Sequence, residues 1–444
     1  MSTFNPSAGF TGTPDPLRWA DSQALIAAAR QAAGGASLDV WPEADFVFVD
    51  PLVGDPKLAE GPSDIATISR ASKSWSMGWD GVNGNPAGAL IEHPSGAASW
   101  SPYGLRVAPA AENLIANPRA EGAALPAVPT GWSIQGGAGA TITPTGRGVA
   151  DGWPYVDVTI NGTITSNGLI PLVDTAVTAL AGNIFTAHVG LALVSGTAPT
   201  PNLRLGKDGG SEGANLEITP DGRHRRWAMT RTMTGTPLYA RPILYFPPGT
   251  YTNAVFRIFT PVLTKTSYVT PPVLPPAGTP GASVKAAETF QIPTSLGWYR
   301  HDEGTLIVDF FRAALPGAAG LLSLPEASYW GRQMLYNASV NLVMQAAIQS
   351  GGAASGGVIP IAAGRHQAGL RWSGRTHRGA VDGALTPVFT TTADVAAVPT
   401  FLSLGAFGTS TLEPSRTPIR RVRFFPRALT DAEMIAATLP YWSV

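Results

Sequence analysis

Strict alternation of apolar and polar residues, broken by glycine and proline every ten residues or so, is the feature that most limits how this chain can fold. In "YVDVTINGTITSNG", Val156, Val158 and Ile160 share one side while Asp157 and Thr159 share the other. That period of two is the mark of a half-buried strand. Asn161-Gly162 interrupts it with the dipeptide favoured in tight hairpins, so a turn is predicted there. "NIFTAHVGLALVSG" and "AVFRIFTPVL" are further strands of similar length, and no helical pattern separates them. Evenly spaced strands of this kind predict a sandwich or jelly roll over residues 113–270.

The pattern resumes beyond "TPPVLPPAGTPGA", which reads as a semi-rigid proline-rich linker over 271–282. "GTLIVDFF", "QMLYNASVNLVMQAA", "HQAGLRWSG", "RGAVDGALT" and "FLSLGAFG" give a second β domain over 283–444, with Asp382-Gly383 as a hairpin turn. Its end, "RRVRFFPRALTDAEMIA", is a strand followed by a short helix. Thr430 and Glu433 are spaced as a capping box, Leu429 and Met434 as its hydrophobic staple, and Pro440 marks the stop.

The N-terminal part differs. "ADSQALIAAARQAAGG" predicts a helix with Asp21 or Ser22 as N-cap and a small, alanine-built apolar face, suited to packing on a partner. A short strand is expected over Phe46–Val49. We assign 1–70 to a small mixed region and 71–112 to a turn-rich connector. The fold class expected is mainly β: two antiparallel β-sandwich domains, jelly-roll and concanavalin A-like, after that region.

Composition narrows the chemistry. The 50 Gly and 40 Pro supply turns, and the formal net charge is zero, so no global field draws the chain to nucleic acid or an anionic membrane. The basic clusters at Arg223–Trp227 and Arg420–Arg423 read as solvated faces or ion-pair partners. With no cysteine, disulfides and thiolate metal sites are excluded. The first residues lack the basic and apolar blocks of a signal peptide, and no run reaches membrane-spanning length; synthesis in the cytoplasm is expected.

The ending "IRRVRFFPRALTDAEMIAA", with "GTLIVDFF", "LRWSGRTHRGAVDGALT" and "FLSLGAFG", resembles the concanavalin A-like lectin, or laminin-G, sandwich of phage and bacterial surface proteins. The middle block, entered by "NLIANPRAEG" and left by "FRIFTPVLTKTSYVTPPV", resembles carbohydrate-binding modules of phage tail and spike proteins. "PYGLRVAPAAENLI" resembles a connector in alphaproteobacterial phage tail proteins, with Ala108 and Glu112 where that connector usually carries glutamate and threonine. Head-spike and fibre proteins of phage-like gene transfer agents are the nearest group. The resemblance implies a virion component, made in the bacterial cytoplasm, that attaches to host-surface polysaccharide. It also implies assembly with other virion proteins through the N-terminal region, and a homo-oligomer. A purely structural spike subunit is the alternative reading, and a capsule-degrading glycosidase the third.

Catalysis finds little support. A retaining glycosidase needs two carboxylates about 5 Å apart, commonly from a Glu-x-Asp-x-Glu strand. Glu43-x-Asp45 lies outside both sandwiches, and Glu433 already caps a helix. The histidines are scattered, so neither a metal nor a cofactor is expected. Sugar binding needs exposed aromatic faces beside amide, carboxylate or guanidinium groups. "PEASYWGRQ" offers Tyr329, Trp330 and Arg332, and "WSGRTHRG" offers Arg375 and His377 beside a hairpin. These five form the candidate carbohydrate site, although Trp330 fits a core position equally well. Trp372, in phase with Leu370, reads as core. Trp153, Tyr155 and Trp227 raise the same question in the middle domain.

Overall fold

The computed structural model describes residues 44–47 and 67–440, apart from 80, 98, 102–103, 108–109, 123, 173–176, 208–209, 236–238, 297–298, 313–318, 326–331, 339–340, 348–352, 392–397 and 406–417. Strands dominate, and the fold class is mainly β, in several antiparallel sheets. Two compact units emerge. One holds the described residues up to Ala71, with Ser95–Pro109 and Ala287–Val444; the other holds Ser72–Pro94 and Ala110–Ala286. Each is therefore assembled from separated stretches of sequence, which corrects the tandem domain boundaries expected above.

In the unit containing Ala110–Ala286, a five-stranded sheet runs in the order Arg225–Thr232, Ile184–Thr197, Gly249–Thr264, Trp153–Ile164, Ala140–Ala150. A second sheet is ordered Gly210–Ser211, Asn202–Lys207, Tyr239–Phe246, Gly168–Pro171, Gln135–Gly136, with Val177–Thr178 and Leu216–Glu217 paired at its flanks. One core contains the inward residues of both, including Val156, Val158, Ile160, Phe256 and Ile258 of the first and Leu203, Leu205, Leu244 and Phe246 of the second. Each such side chain contributes about 1.5–3 kcal/mol on burial, which is why the alternation was informative.

Two expectations fail here for physical reasons. The strand Trp153–Ile164 runs straight through Asn161-Gly162, where the register merely slips against its neighbour. Asn161 uses its side-chain oxygen to accept from the backbone N–H of Asn253, 3.0 Å away. The hairpin turn lies instead at Asp151-Gly152, with φ of 51° and 79° between the paired Ala150 and Trp153. The expected linker is also no spacer at its start. Val273 and Leu274 are buried, Ser283 Oγ donates to Val273 O at 2.7 Å, and Arg119 Nε donates to Pro275 O at 2.7 Å. Apolar side chains and orphan carbonyls at 271–275 are satisfied by packing onto the unit, and Ser283–Lys285 then pairs with Ala111–Asn113.

The other unit is again two sheets around one core. The first is ordered Ala384–Leu385, Thr376–Val381, Gly364–Ser373, Glu303–Arg312, Ile419–Phe425, Gly104–Arg106, Ser99–Ser101. The second is Thr67–Ser69, Thr289–Pro293, Phe401–Leu404, Ala319–Pro325, Arg332–Ala338, Asn341–Ala347, Ala353–Pro360. Leu306, Val308, Phe310, Trp372 and Phe424 from one meet Phe290, Ile292, Leu322 and Leu402 from the other. The strand Ala44–Val47, expected in a separate N-terminal region, pairs with Ile419–Phe425 in the register Phe46↔Val422. The expected helix at 20–35 lies outside the described residues.

The closing helix, Asp431–Thr438, forms as anticipated. Thr430 Oγ1 accepts from Glu433 N, the Glu433 carboxylate accepts from Thr430 N, and Leu429 and Met434 are buried together. Arg423 Nη2 donates to Ala437 O at 2.8 Å and ties the last turn to the sheet. Asp382-Gly383 makes the expected two-residue hairpin turn, with φ of 48° and 81°.

Candidate carbohydrate-binding face

Of the five sequence candidates, Tyr329 and Trp330 lie outside the described residues, and Arg332 opens the Arg332–Ala338 strand opposite Ala347. Arg375 is exposed in the two-residue turn between Gly364–Ser373 and Thr376–Val381. His377 must be corrected. It pairs across the strands with Trp372, and both side chains are fully buried. Its Nδ1 lies 2.9 Å from Arg375 O, its ring stacks on Phe389, and burial lowers its pKa. The reason is strand phase: alternation along the hairpin sends residue 377 inward, while Ser373, Thr376 and the turn between them stay in solvent. His377 therefore offers no surface to a ligand, and Trp372 is core as expected.

Around that turn the charges are already matched. Arg371 and Arg378 both reach Asp431 and Arg427 pairs with Glu433, while at the opposite end of the Gly364–Ser373 strand Arg365 pairs with Asp309. His366 is held in two directions: burial lowers its pKa, but Asp382 at 2.6 Å and the Ala362 carbonyl raise it above its ordinary value.

In the other unit, Trp153 and Trp227 are core residues, and Tyr155 is half-buried on the outer side of the five-stranded sheet. The Arg257 guanidinium lies 3.9 Å over the Tyr155 ring and makes two bonds to Asp157, of 2.8 and 2.9 Å. On the same outer side Arg226 is fully buried, neither solvated nor ion-paired as the sequence had suggested. It donates to His188 Nδ1 at 2.6 Å and to Thr260 O at 3.0 Å, packs on Trp153, and is lowered to a pKa of about 9 by burial. A groove of about 360 Å³ is lined by Lys73, Trp75, Glu92, Arg119 and Pro275. Its cations are engaged, Lys73 with Glu92 at 2.6 Å and Arg119 with Pro275 O, and Trp75 is buried.

The outward side of the seven-stranded sheet is different. Cross-strand register sets Gln135, Leu169, Tyr245, Asn202 and Glu217 in one row, and Pro171, Ile243 and Arg204 in the next. Arg241, opposite Gly206, follows, with Tyr239 beyond it on the same strand. The Arg204 guanidinium carbon lies 3.3 Å over the Tyr245 ring, and that of Arg241 lies 5.2 Å from the Tyr239 ring centre. Tyr245 donates its hydroxyl to Asn167 Oδ1 at 2.5 Å, which fixes the ring. Ile243 is nearly buried although it faces outward, because long arginine stems cover such residues while their heads stay near water. Gly206 makes room for Ile243: a Cβ there would sit 2.6 Å from Ile243 Cδ1.

This face offers what a sugar-binding surface requires: flat aromatic and guanidinium planes, half-exposed, with amides of Asn202 and Gln135 alongside. Glu217 is the one carboxylate in its registered rows. No sequence motif marks it, since Arg204 and Tyr245 come from separate strands. The available signal was alternation, in "NLRLGK" and "YARPILYF", where polar positions lie between buried Leu203, Leu205, Ala240 and Leu244. The run Gly209–Gly213 spells Gly-x-Ser-x-Gly, but Ser211 lies in a two-residue strand opposite Gly206 and a further strand follows, not the helix a nucleophile elbow requires.

No protein-family profile and no curated protein matches the chain. Among solved structures, a CBM4 module is similar at 16% identity and a TM-score of 0.24, over 30% of this chain and 86% of that one. The binding domain of botulinum neurotoxin serotype C1 is 10% identical with a TM-score of 0.26, over 34% of this chain and 40% of that one. Domains LG4-5 of the mouse laminin alpha1 chain are 12% identical at 0.25, over 65% of this chain and 94% of theirs. Trypanosoma rangeli sialidase with sialic acid is 11% identical at 0.26, over 65% of this chain and 60% of that one.

Proposed function

We propose that this protein is a non-catalytic, lectin-like component of a phage-like particle, a spike or fibre that adheres to host-surface polysaccharide. The observation that carries the binding part is the platform of Arg204 on Tyr245, open on an outward sheet face beside Asn202. A polymer running along the Tyr239–Phe246 strand would meet ring, guanidinium and ring in turn. Single contacts of this kind are weak, so adhesion comes from several copies on one particle engaging a repeating chain. Among the described residues the registered rows of the face carry one carboxylate, Glu217, and this favours binding over hydrolysis, which needs a pair. Attachment to the particle is assigned to the N-terminal region, and the virion setting rests on the sequence resemblance.

The test is to incubate purified protein with bacterial cells carrying or lacking a capsule and to measure bound protein. Binding that depends on the capsule, without release of oligosaccharide, is the expected result. Equal binding to both cell types, or turnover of purified capsule, would overturn this reading.

A further inference from the structure

We propose that the face formed by Arg204 and Arg241 selects anionic polysaccharides, those bearing a carboxylate in the repeating unit. This rests on the polysaccharide-binding reading. In a chain of zero net charge, the other half-buried arginines described above all find acceptors: Arg257 bonds Asp157, Arg365 bonds Asp309, Arg371 and Arg378 bond Asp431, Arg427 bonds Glu433, and Arg119 and Arg423 bond the carbonyls of Pro275 and Ala437. Arg204 and Arg241 do not. Both are half-buried, the Nε of each is enclosed without a partner, and neither has a hydrogen-bond or ion-pair partner among the described residues.

Register makes the pair closer than their sequence separation suggests. Arg204 is opposite Ile243 and Arg241 is opposite Gly206, so the two are diagonal neighbours on adjacent strands, about 7–8 Å apart at the backbone. Like charges so placed repel, and half-desolvated ones more than exposed ones. An unpaired arrangement of this kind is relieved by an anion. The guanidinium fork matches a carboxylate in two-bonded geometry, and the tyrosine rings beneath hold both forks in plane. From Tyr239 to Tyr245 the strand extends roughly 20 Å, the reach of an extended chain and not of a single sugar ring. The adjoining amides of Asn202 and Gln135 are suited to hydroxyls.

The experiment measures binding of the full chain to three uronate polymers (polygalacturonate, alginate and hyaluronate), to their carboxyl-reduced neutral counterparts, and to single-stranded DNA. At least one uronate polymer is expected to bind, at least tenfold tighter than its reduced form and than DNA. Arg204→Gln and Arg241→Gln should each weaken it about tenfold and flatten its salt dependence. Arg223→Gln removes the same charge from an exposed position of the same unit and should change nothing. Equal affinity for acidic and reduced polymers would overturn the anionic selectivity while leaving polysaccharide binding intact. DNA bound as tightly as uronate, or equal losses with Arg223→Gln, would reduce the effect to unspecific charge and overturn it. Absence of binding to every polymer would remove both the selectivity and the polysaccharide reading.

Discussion

Acidification should destabilise the protein well above the range in which carboxylates titrate, and His224 accounts for a definable part. Its ring stacks on Phe259 with centroids 3.6 Å apart, meets the Trp153 ring edge-on, and has Nε2 enclosed without a partner. Burial and the nearby Arg226 charge lower its pKa to about 2. An unfolded histidine titrates near 6.5. Below that value the unfolded chain binds a proton that the folded one refuses, so stability is complete above pH 6.5 and falls as the pH drops. The loss approaches 1.36 kcal/mol per pH unit, about 2 kcal/mol at pH 5. His188 adds a loss of the same sign, because burial and Arg226 hold it well below its ordinary value. His366 acts oppositely: raised by Asp382, it adds stability as the pH falls towards its unfolded value, and that gain is complete below it. Urea midpoints followed by tryptophan fluorescence at pH 7.5 and pH 5 for the full chain and for His224→Leu isolate the one residue. The variant should lose about 2 kcal/mol less than the parent over that interval. Equal losses would show that His224 is protonated in the folded state and that the burial argument is wrong.

Two more expectations concern the unit containing Ala287–Val444. Trp372→Ala, at a fully buried ring bonded to His301 O, should cost about 3–5 kcal/mol in thermal or urea unfolding, whereas Arg375→Ala in the exposed turn should stay within about 0.5 kcal/mol. Thr430→Ala removes both the Oγ1 acceptor of Glu433 N and a donor to its carboxylate, and should cost about 1 kcal/mol with faster amide exchange in Asp431–Thr438. An unchanged exchange rate would mean that Arg427 and the sheet alone hold that helix.

What the sequence revealed was local. The capping box at Thr430 and the turn at Asp382-Gly383 were legible because their chemistry is complete within a few residues. Asn161-Gly162 misled because the same dipeptide serves a bulge when long partner strands flank it, and only tertiary pairing decides. His377 misled because a hairpin was recognised but the phase of its second strand was not applied. The face of Arg204, Arg241, Tyr239 and Tyr245 could not be read at all, since it depends on which strands become neighbours. The linker was misjudged because proline content does not say whether carbonyls such as Val273 O find donors.

The strand Ile419–Phe425 has a consequence for how the protein is made. It lies inside its sheet, paired to Glu303–Arg312 on one side, with Gly104–Arg106 and Ala44–Val47 also bonded to it. A nascent chain emerging at roughly 5–20 residues per second would therefore expose its early strands for tens of seconds before their partner exists. Chains cut short by a ribosome stall or a late nonsense codon lack the strand that closes the sheet. They present open edges to chaperones and proteases, so that only molecules in which this strand has been made are retained.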